Sequence, residues 1–144
     1  MLIGEVLQSR DQTMGNNYLH SSITSEIIGA FFRVYNQLGY GFLEKVYENA
    51  LMIELRNCQL TCIAQAPIKV YYEKQIVGHY ITDIIVNDCV IIEVKAADSL
   101  CKEHEVQLIN YLKATEIEVG MLLNFGKSPQ FKRKVFSKEF KKHN

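Results

Sequence analysis

The chain has 144 residues, 48% of them hydrophobic and 22% charged, a balance that suits one globular domain with a sizeable core. Sixteen basic residues against sixteen acidic ones leave no net charge, which excludes attraction of nucleic acid or membrane through a global field; any such partner must be held locally. Nowhere do eighteen apolar residues run together, and residues 1–20 show no basic leader before a long apolar run, so neither a membrane span nor a signal peptide is expected and the protein reads as cytoplasmic.

Residues 1–21 form a polar N-terminal extension containing Gly15, Asn16 and Asn17. Over 22–38, Ile23, Ile27, Phe31, Val34, Tyr35 and Leu38 recur at helical spacing and predict an amphipathic helix, with Ser22 as its N-cap and Gly39 as its terminator. A second helix over 43–57 follows the turn Gly39-Tyr40-Gly41. After Pro67, Ile68, Val70 and Tyr72 alternate with their neighbours, and Glu73-Lys74-Gln75 separates them from a second strand over 76–86, a hairpin pattern. Asn87-Asp88 breaks the chain before a third, apolar strand over 89–95, and this makes a second hairpin.

The helical pattern returns over 103–114, with Val106, Ile109 and Leu112 available for one face, and residues 119–125 read as a final buried strand. The order α-α-β-β-β-α-β, with no repeat or linker, implies a single α/β domain over 1–144 in which helices flank a mixed sheet. Residues 126–144 read as a basic C-terminal tail, where Lys127, Lys132, Arg133, Lys134, Lys138, Lys141 and Lys142 oppose one acid, Glu139. Such a tail is either a solvated end or a phosphate-binding arm. The cysteines Cys58, Cys62, Cys89 and Cys101 form no CxxC pair, so neither a zinc site nor a disulfide framework is expected, and Cys89 reads as a free thiol within an apolar strand.

Charge inside an apolar strand is the informative exception, because a buried ion costs several kcal/mol or more unless it is paired or bound to metal. Glu93 and Lys95 lie two residues apart in a strand and therefore project from one face. Asp83 repeats the anomaly one strand earlier. A two-residue turn at Asn87-Asp88 would set Asp83 against Ile92, whereas a three-residue loop over 87–89, or a bulge, sets it against Glu93; the second arrangement is expected. Two carboxylates on one face suit Mg²⁺ or Mn²⁺, and a neighbouring lysine can orient water or stabilise a phosphorane-like charge. The alternative is a structural ion pair in which Lys95 neutralises the two acids. Glu44, three residues before Tyr47, is either a third carboxylate or a first-turn glutamate favoured by the helix dipole. Gln107 and Tyr111 share a helix face with His104 one turn earlier, as site residues or as rim, core and solvated histidine.

The run Leu38-Gly39-Tyr40-Gly41-Phe42-Leu43-Glu44-Lys45-Val46-Tyr47 resembles the signature of the GxxExxY family, a branch of the PD-(D/E)xK nuclease superfamily. Val70-Tyr71-Tyr72, Asp83-Ile84-Ile85-Val86, Ile91-Ile92-Glu93-Val94-Lys95, the helix carrying His104, Gln107 and Tyr111, and the strand from Gly120 to Phe125 are similar to that family's later blocks in order and spacing. The resemblance implies a restriction-endonuclease-like core, with Asp83 and Glu93 as metal-binding acids, Lys95 as the catalytic lysine and Glu44 as an additional first-helix acid. Gln107 and Tyr111 match the Gln-x-x-x-Tyr helix of the RecB-type branch. Thr82 stands where the superfamily's name has proline. No cysteine follows Cys101, so no iron–sulfur cluster is expected.

The function implied is a Mg²⁺-dependent (or Mn²⁺-dependent) nuclease acting on nucleic acid, with DNA as the first expectation. Lys95 would position or activate the attacking water, Gln107 and Tyr111 would orient Lys95 or the phosphate, and Lys132, Arg133 and Lys134 would track the backbone. The competing class is a nuclease-like module that binds nucleic acid or a protein without hydrolysis. A homodimer is a further expectation, since two-fold symmetry suits a small nuclease cutting both strands of a duplex.

Overall fold

The computed structural model describes residues 19–141; Gly15, Asn16 and Asn17 of the polar extension and Lys142 of the basic tail lie outside the described residues. Helix α1 (Ser21–Leu38) follows the apolar spacing and buries Ile27, Phe31 and Val34. It begins one residue before the expected start. His20, in the left-handed region, is the boundary, and the Thr24 hydroxyl rather than Ser22 turns back, donating to the carbonyls of His20 and Ser21 at 3.3 and 3.2 Å. Gly39 ends the helix at φ 69°, with its N–H donating to the Tyr35 carbonyl at 2.8 Å, and Gly41 at φ 111° completes the turn. Both conformations strain a residue bearing Cβ.

Helix α2 (Glu44–Asn57) then packs beside α1. Strands β1 (Cys62–Tyr72) and β2 (Gln75–Val86) make a long hairpin whose tight turn has Glu73 and Lys74 both at positive φ. Strand β3 (Val90–Lys95) pairs antiparallel with β2, helix α3 (Lys102–Lys113) crosses over, and β4 (Val119–Phe125) returns parallel to β3. The sheet order is β1-β2-β3-β4-β5, where β5 (Pro129–Val135) runs antiparallel to β4.

Helices α1 and α2 cover one face of the sheet, where Phe31, Tyr47 and Leu51 join Ile84, Ile92, Val94 and Leu123 in one apolar cluster. On the other face Leu108, Tyr111 and Leu112 of α3 meet Ile68, Ile91 and Leu122. Each such aliphatic or aromatic side chain contributes roughly 1.5–3 kcal/mol by leaving water. Because β3 alternates, Val90, Ile92 and Val94 serve the first cluster and Ile91 the second, and Glu93 and Lys95 fall on the α3 side.

Four sequence expectations need correction. The first strand begins at Cys62 rather than near Pro67, and the left-handed Gln65 (φ 55°) interrupts its alternation. Cys89 lies in the turn after β2 rather than in a strand. Val106 is exposed, because α3 turns Leu108, Tyr111 and Leu112 inward. The basic segment after Gly126 is no free tail: Pro129–Val135 is an edge strand, with Phe131 anchored in the core and its lysines leaving the edge charged.

Candidate active site

The β2–β3 loop has three residues. Asn87 and Asp88 take positive φ, the Cys89 N–H donates to the Val86 carbonyl at 2.9 Å, and Val86 pairs with Val90. This is the odd-numbered loop that the sequence requires if the acids are to meet. The ladder continues through Ile85↔Ile91 and Ile84↔Ile92; one further step in that register sets Asp83 opposite Glu93.

There the carboxylates take the place of backbone acceptors. Glu93 Oε2 accepts the Thr82 hydroxyl at 2.6 Å and the Asp83 N–H at 2.8 Å, while Asp83 Oδ2 accepts the Val94 N–H at 2.7 Å. Charge-assisted bonds of this length are among the stronger ones in proteins. Each carboxylate is thereby fixed through one oxygen, leaving the other without a hydrogen bond among the described residues.

Glu93 is only 4% exposed, and burial followed by the charge of Asp83 pushes its carboxyl up to about 7. Asp83, half-buried, is raised first by burial and then by Glu48 and Glu44, against the opposing Val94 N–H and Lys95. Lys95 is partly exposed and lowers both carboxyls, yet neither acid forms an ion pair with it among the described residues. Two acids therefore repel one another in a largely dry position with a lysine nearby but out of contact. A contact ion pair does not describe this arrangement.

Helix α2 brings two more acids. Glu44 is exposed, and Glu48, 4% exposed, has the larger effect on Asp83. Gln65 Nε2 donates to both Glu48 oxygens at 2.9 and 3.0 Å, and Lys45 Nζ reaches Oε2 at 3.0 Å. Gln65 occupies the place opposite Asp83 in the β1–β2 register, between the pairs Ala64↔Ile84 and Ala66↔Thr82. A non-glycine residue at positive φ within a strand is uncommon, and such residues gather at functional sites. Tyr47 braces the entry to α2: its hydroxyl donates to the Gly39 carbonyl at 2.7 Å and accepts the Phe42 N–H at 3.2 Å, and its ring stacks on Phe125 at 4.4 Å.

From α3, Tyr111 lies close enough for Glu93 and Asp83 to raise its hydroxyl's pKa, after the larger effect of burial. Gln107 is one turn earlier and lines a groove with Tyr111. His104 turns away to the helix start, where its Nδ1 accepts the Cys101 N–H at 3.2 Å.

The profile of the PD-(D/E)XK nuclease superfamily matches residues 21–135, from the first residue of α1 to the last of β5. The chain belongs to the PD-(D/E)XK nuclease superfamily. The crystal structure of SSO0001 is similar in fold, with a TM-score of 0.53 at 16% identity over 80% of this chain; this chain spans 58% of that one. No curated protein matches.

In this PD-(D/E)XK nuclease-like domain, Asp83 on β2 and Glu93 and Lys95 on β3 have the residue types and spacing in that name, and Thr82 precedes Asp83 where the name has proline. The departure has a use here, since the fully buried Thr82 hydroxyl is Glu93's shortest hydrogen bond. Superfamily members generally use divalent metals such as Mg²⁺. The donors fit such a cation: two hard oxygen ligands, each held by the backbone through its partner oxygen, and mutual repulsion that a cation relieves. Asp83 and Glu93 come together, but among the described residues no three His, Cys, Asp or Glu side chains gather into a metal-binding group, and Glu44 stands at the exposed margin.

The predicted nucleic-acid contacts lie elsewhere. Lys132 and Lys134 on β5 reach Glu105 of α3 at 2.6 and 2.5 Å, and the Arg133 guanidinium donates to the Leu19 carbonyl at 2.6 Å. Glu105 is held down to about 2 by its two lysines. These lysines serve to close β5 onto α3, and any contact with phosphate would compete with Glu105.

Sequence reasoning missed Glu48, Gln65 and Asn124. Glu48 is four residues after Glu44 on the same helix face, a spacing that would have revealed it. Asn124 is a polar residue in a buried strand, the signal that marked Glu93. Its side chain accepts the Ala97 N–H and donates to the Ala97 carbonyl, both at 2.9 Å, and so fixes the chain two residues after Lys95. Gln65 carried no signal, because its backbone conformation is invisible in the sequence.

Proposed function

We propose that this domain hydrolyses phosphodiester bonds in nucleic acid, DNA in the first instance, with Asp83 and Glu93 holding Mg²⁺ or Mn²⁺ and Glu44 supporting them from α2. The observation that carries this reading is the pair of backbone-anchored carboxylates that lack a contacting counter-charge beside Lys95. The similarity of the Gly41, Glu44 and Tyr47 run to the GxxExxY pattern supports it. A divalent cation in this place supplies Lewis-acid charge that offsets the phosphate's own.

The chain's residues do the rest. Thr82 and the Asp83 amide keep Glu93 oriented, and the Val94 amide does so for Asp83. Lys95, on the same strand face as Glu93, directs its ammonium at the attacking water or at the charge that develops on the phosphoryl oxygens. Tyr111 and Gln107 orient the phosphate from the α3 side.

Calorimetric titration of Mn²⁺ into the wild type, Asp83→Asn and Glu93→Gln tests the metal site without a choice of substrate. Binding by the wild type and its loss in both folded variants is expected, followed by metal-dependent cleavage that Lys95→Ala reduces by at least 100-fold. Cleavage that survives Lys95→Ala would overturn the assignment. The second reading, a nuclease-like module that binds without hydrolysis, is favoured by the absence of a gathered third ligand among the described residues. An undiminished biological effect in Lys95→Ala would support it.

A further inference from the structure

A groove of about 1000 Å³ lies between α3 and the β1–β2 hairpin and reaches the site at Tyr111. Its volume is at the top of the roughly 300–1,000 Å³ range of small-molecule sites. Val70 and Tyr71 both line it, although neighbouring strand residues normally face opposite ways. The hairpin is irregular at this point: Val70 pairs with Gly78 and Tyr71 with Ile76, so Val77 of β2 is the extra residue, and the regular alternation of the ladder is interrupted where Val70 and Tyr71 meet the groove. Tyr80 of β2 joins it, with its ring 5.7 Å from that of Tyr111.

Tyr71 and Tyr80 are 44% and 50% exposed, in a lining that carries Lys102, Lys113 and Lys141 against one acid, Glu103. Lys141 is committed to the carbonyls of Thr115 and Ile117, and Lys113 lies over the Phe136 ring at 5.6 Å. Lys102 forms no ion pair among the described residues. Exposed aromatic faces with a positive rim match a polyanion that carries flat apolar groups. A duplex hides its base faces within the stack and offers such rings nothing to cover; an unpaired strand offers them.

We infer that this groove receives unpaired DNA, with bases against Tyr71 and Tyr80, phosphates beside Lys102 and Lys113, and the strand led past Tyr111 to the carboxylates. The inference rests on the nuclease reading for the bond presented at the site, and it adds that the substrate is single-stranded there.

The test is fluorescence anisotropy in EDTA, with no cleavage, using a labelled fifteen-nucleotide oligothymidine, an abasic strand of equal length and a duplex of equal length. The wild type is expected to bind the oligothymidine most tightly. Tyr71→Ala and Tyr80→Ala should each weaken that binding about tenfold and leave the abasic strand unaffected, the size of loss that one base–aromatic stack gives. Tyr71→Phe and Tyr80→Phe keep the ring and should keep the affinity, which separates stacking from misfolding. Equal binding of duplex and oligothymidine, equal binding of the abasic strand, or no loss in the alanine variants would overturn the inference, and the last would leave the groove to a protein or peptide. Failure of the nuclease reading is read separately, since metal-dependent cleavage of duplex without strand binding in the groove defeats this inference alone, and tyrosine-dependent binding without cleavage defeats the nuclease reading alone.

Discussion

Glu93→Gln is expected to stabilise the metal-free protein at pH 8 and to change little near pH 4. The Glu93 carboxyl lies at about 7 in the folded chain and at 4.5 in its ordinary state. Between those values the folded protein holds a proton that the unfolded chain has released, so the stability of the wild type falls as pH rises through this window. At about 1.4 kcal/mol per pH unit, the full loss is roughly 3 kcal/mol. Glutamine keeps a carbonyl oxygen for the Thr82 hydroxyl and the Asp83 amide, but it carries no charge to repel Asp83. Thermal unfolding in EDTA from pH 4 to pH 8 should show the two proteins diverging, with a gap in melting temperature that opens to roughly 6–12 °C at about 2–4 °C per kcal/mol. Mn²⁺ at pH 8 should restore the wild type and not the variant. A gap that is constant across the range, or a variant that is less stable throughout, would refute the reasoning.

Thr82→Val removes a hydrogen bond that lowers Glu93, so the pH at which Mn²⁺ binding reaches half its maximum should rise, as read by calorimetry at several pH values. Asn124→Ala removes both bonds to the half-buried backbone of Ala97 and should cost about 1–2 kcal/mol in urea unfolding; it should also lower the cleavage rate by loosening the chain after Lys95. Tyr47→Phe loses bonds at both Gly39 and Phe42 and should cost about 1–3 kcal/mol by the same assay.

The apolar periodicity of α1, the odd loop and the meeting of Asp83 with Glu93 were legible, because each follows from a spacing of 3.6 or 2 and from the cost of burying charge. Strand β5 was not: Pro129, Gln130 and the charged Lys132, Arg133 and Lys134 around Phe131 look like a solvated end, and only pairing with β4 makes an edge strand of them. The first turns of β1 were hidden by Gln65, which reverses the alternation through its backbone. Val106 was assigned to the wrong stripe because α3 offers two overlapping apolar spacings, and the sheet decides between them. Within the site, the Glu48–Gln65 contact joins a helix to a strand seventeen residues later, a pairing that no local spacing reports.

The bonds from Glu93 and Asp83 to the opposite strand have a consequence for how this protein is dissected. The same two side chains act as rivets between β2 and β3, so trimming either one to alanine opens a seam while it removes a proposed metal ligand. An inactive alanine variant would then have two independent reasons for its silence. Isosteric amides leave the seam closed and change only the charge, and only they can report what the charge is for.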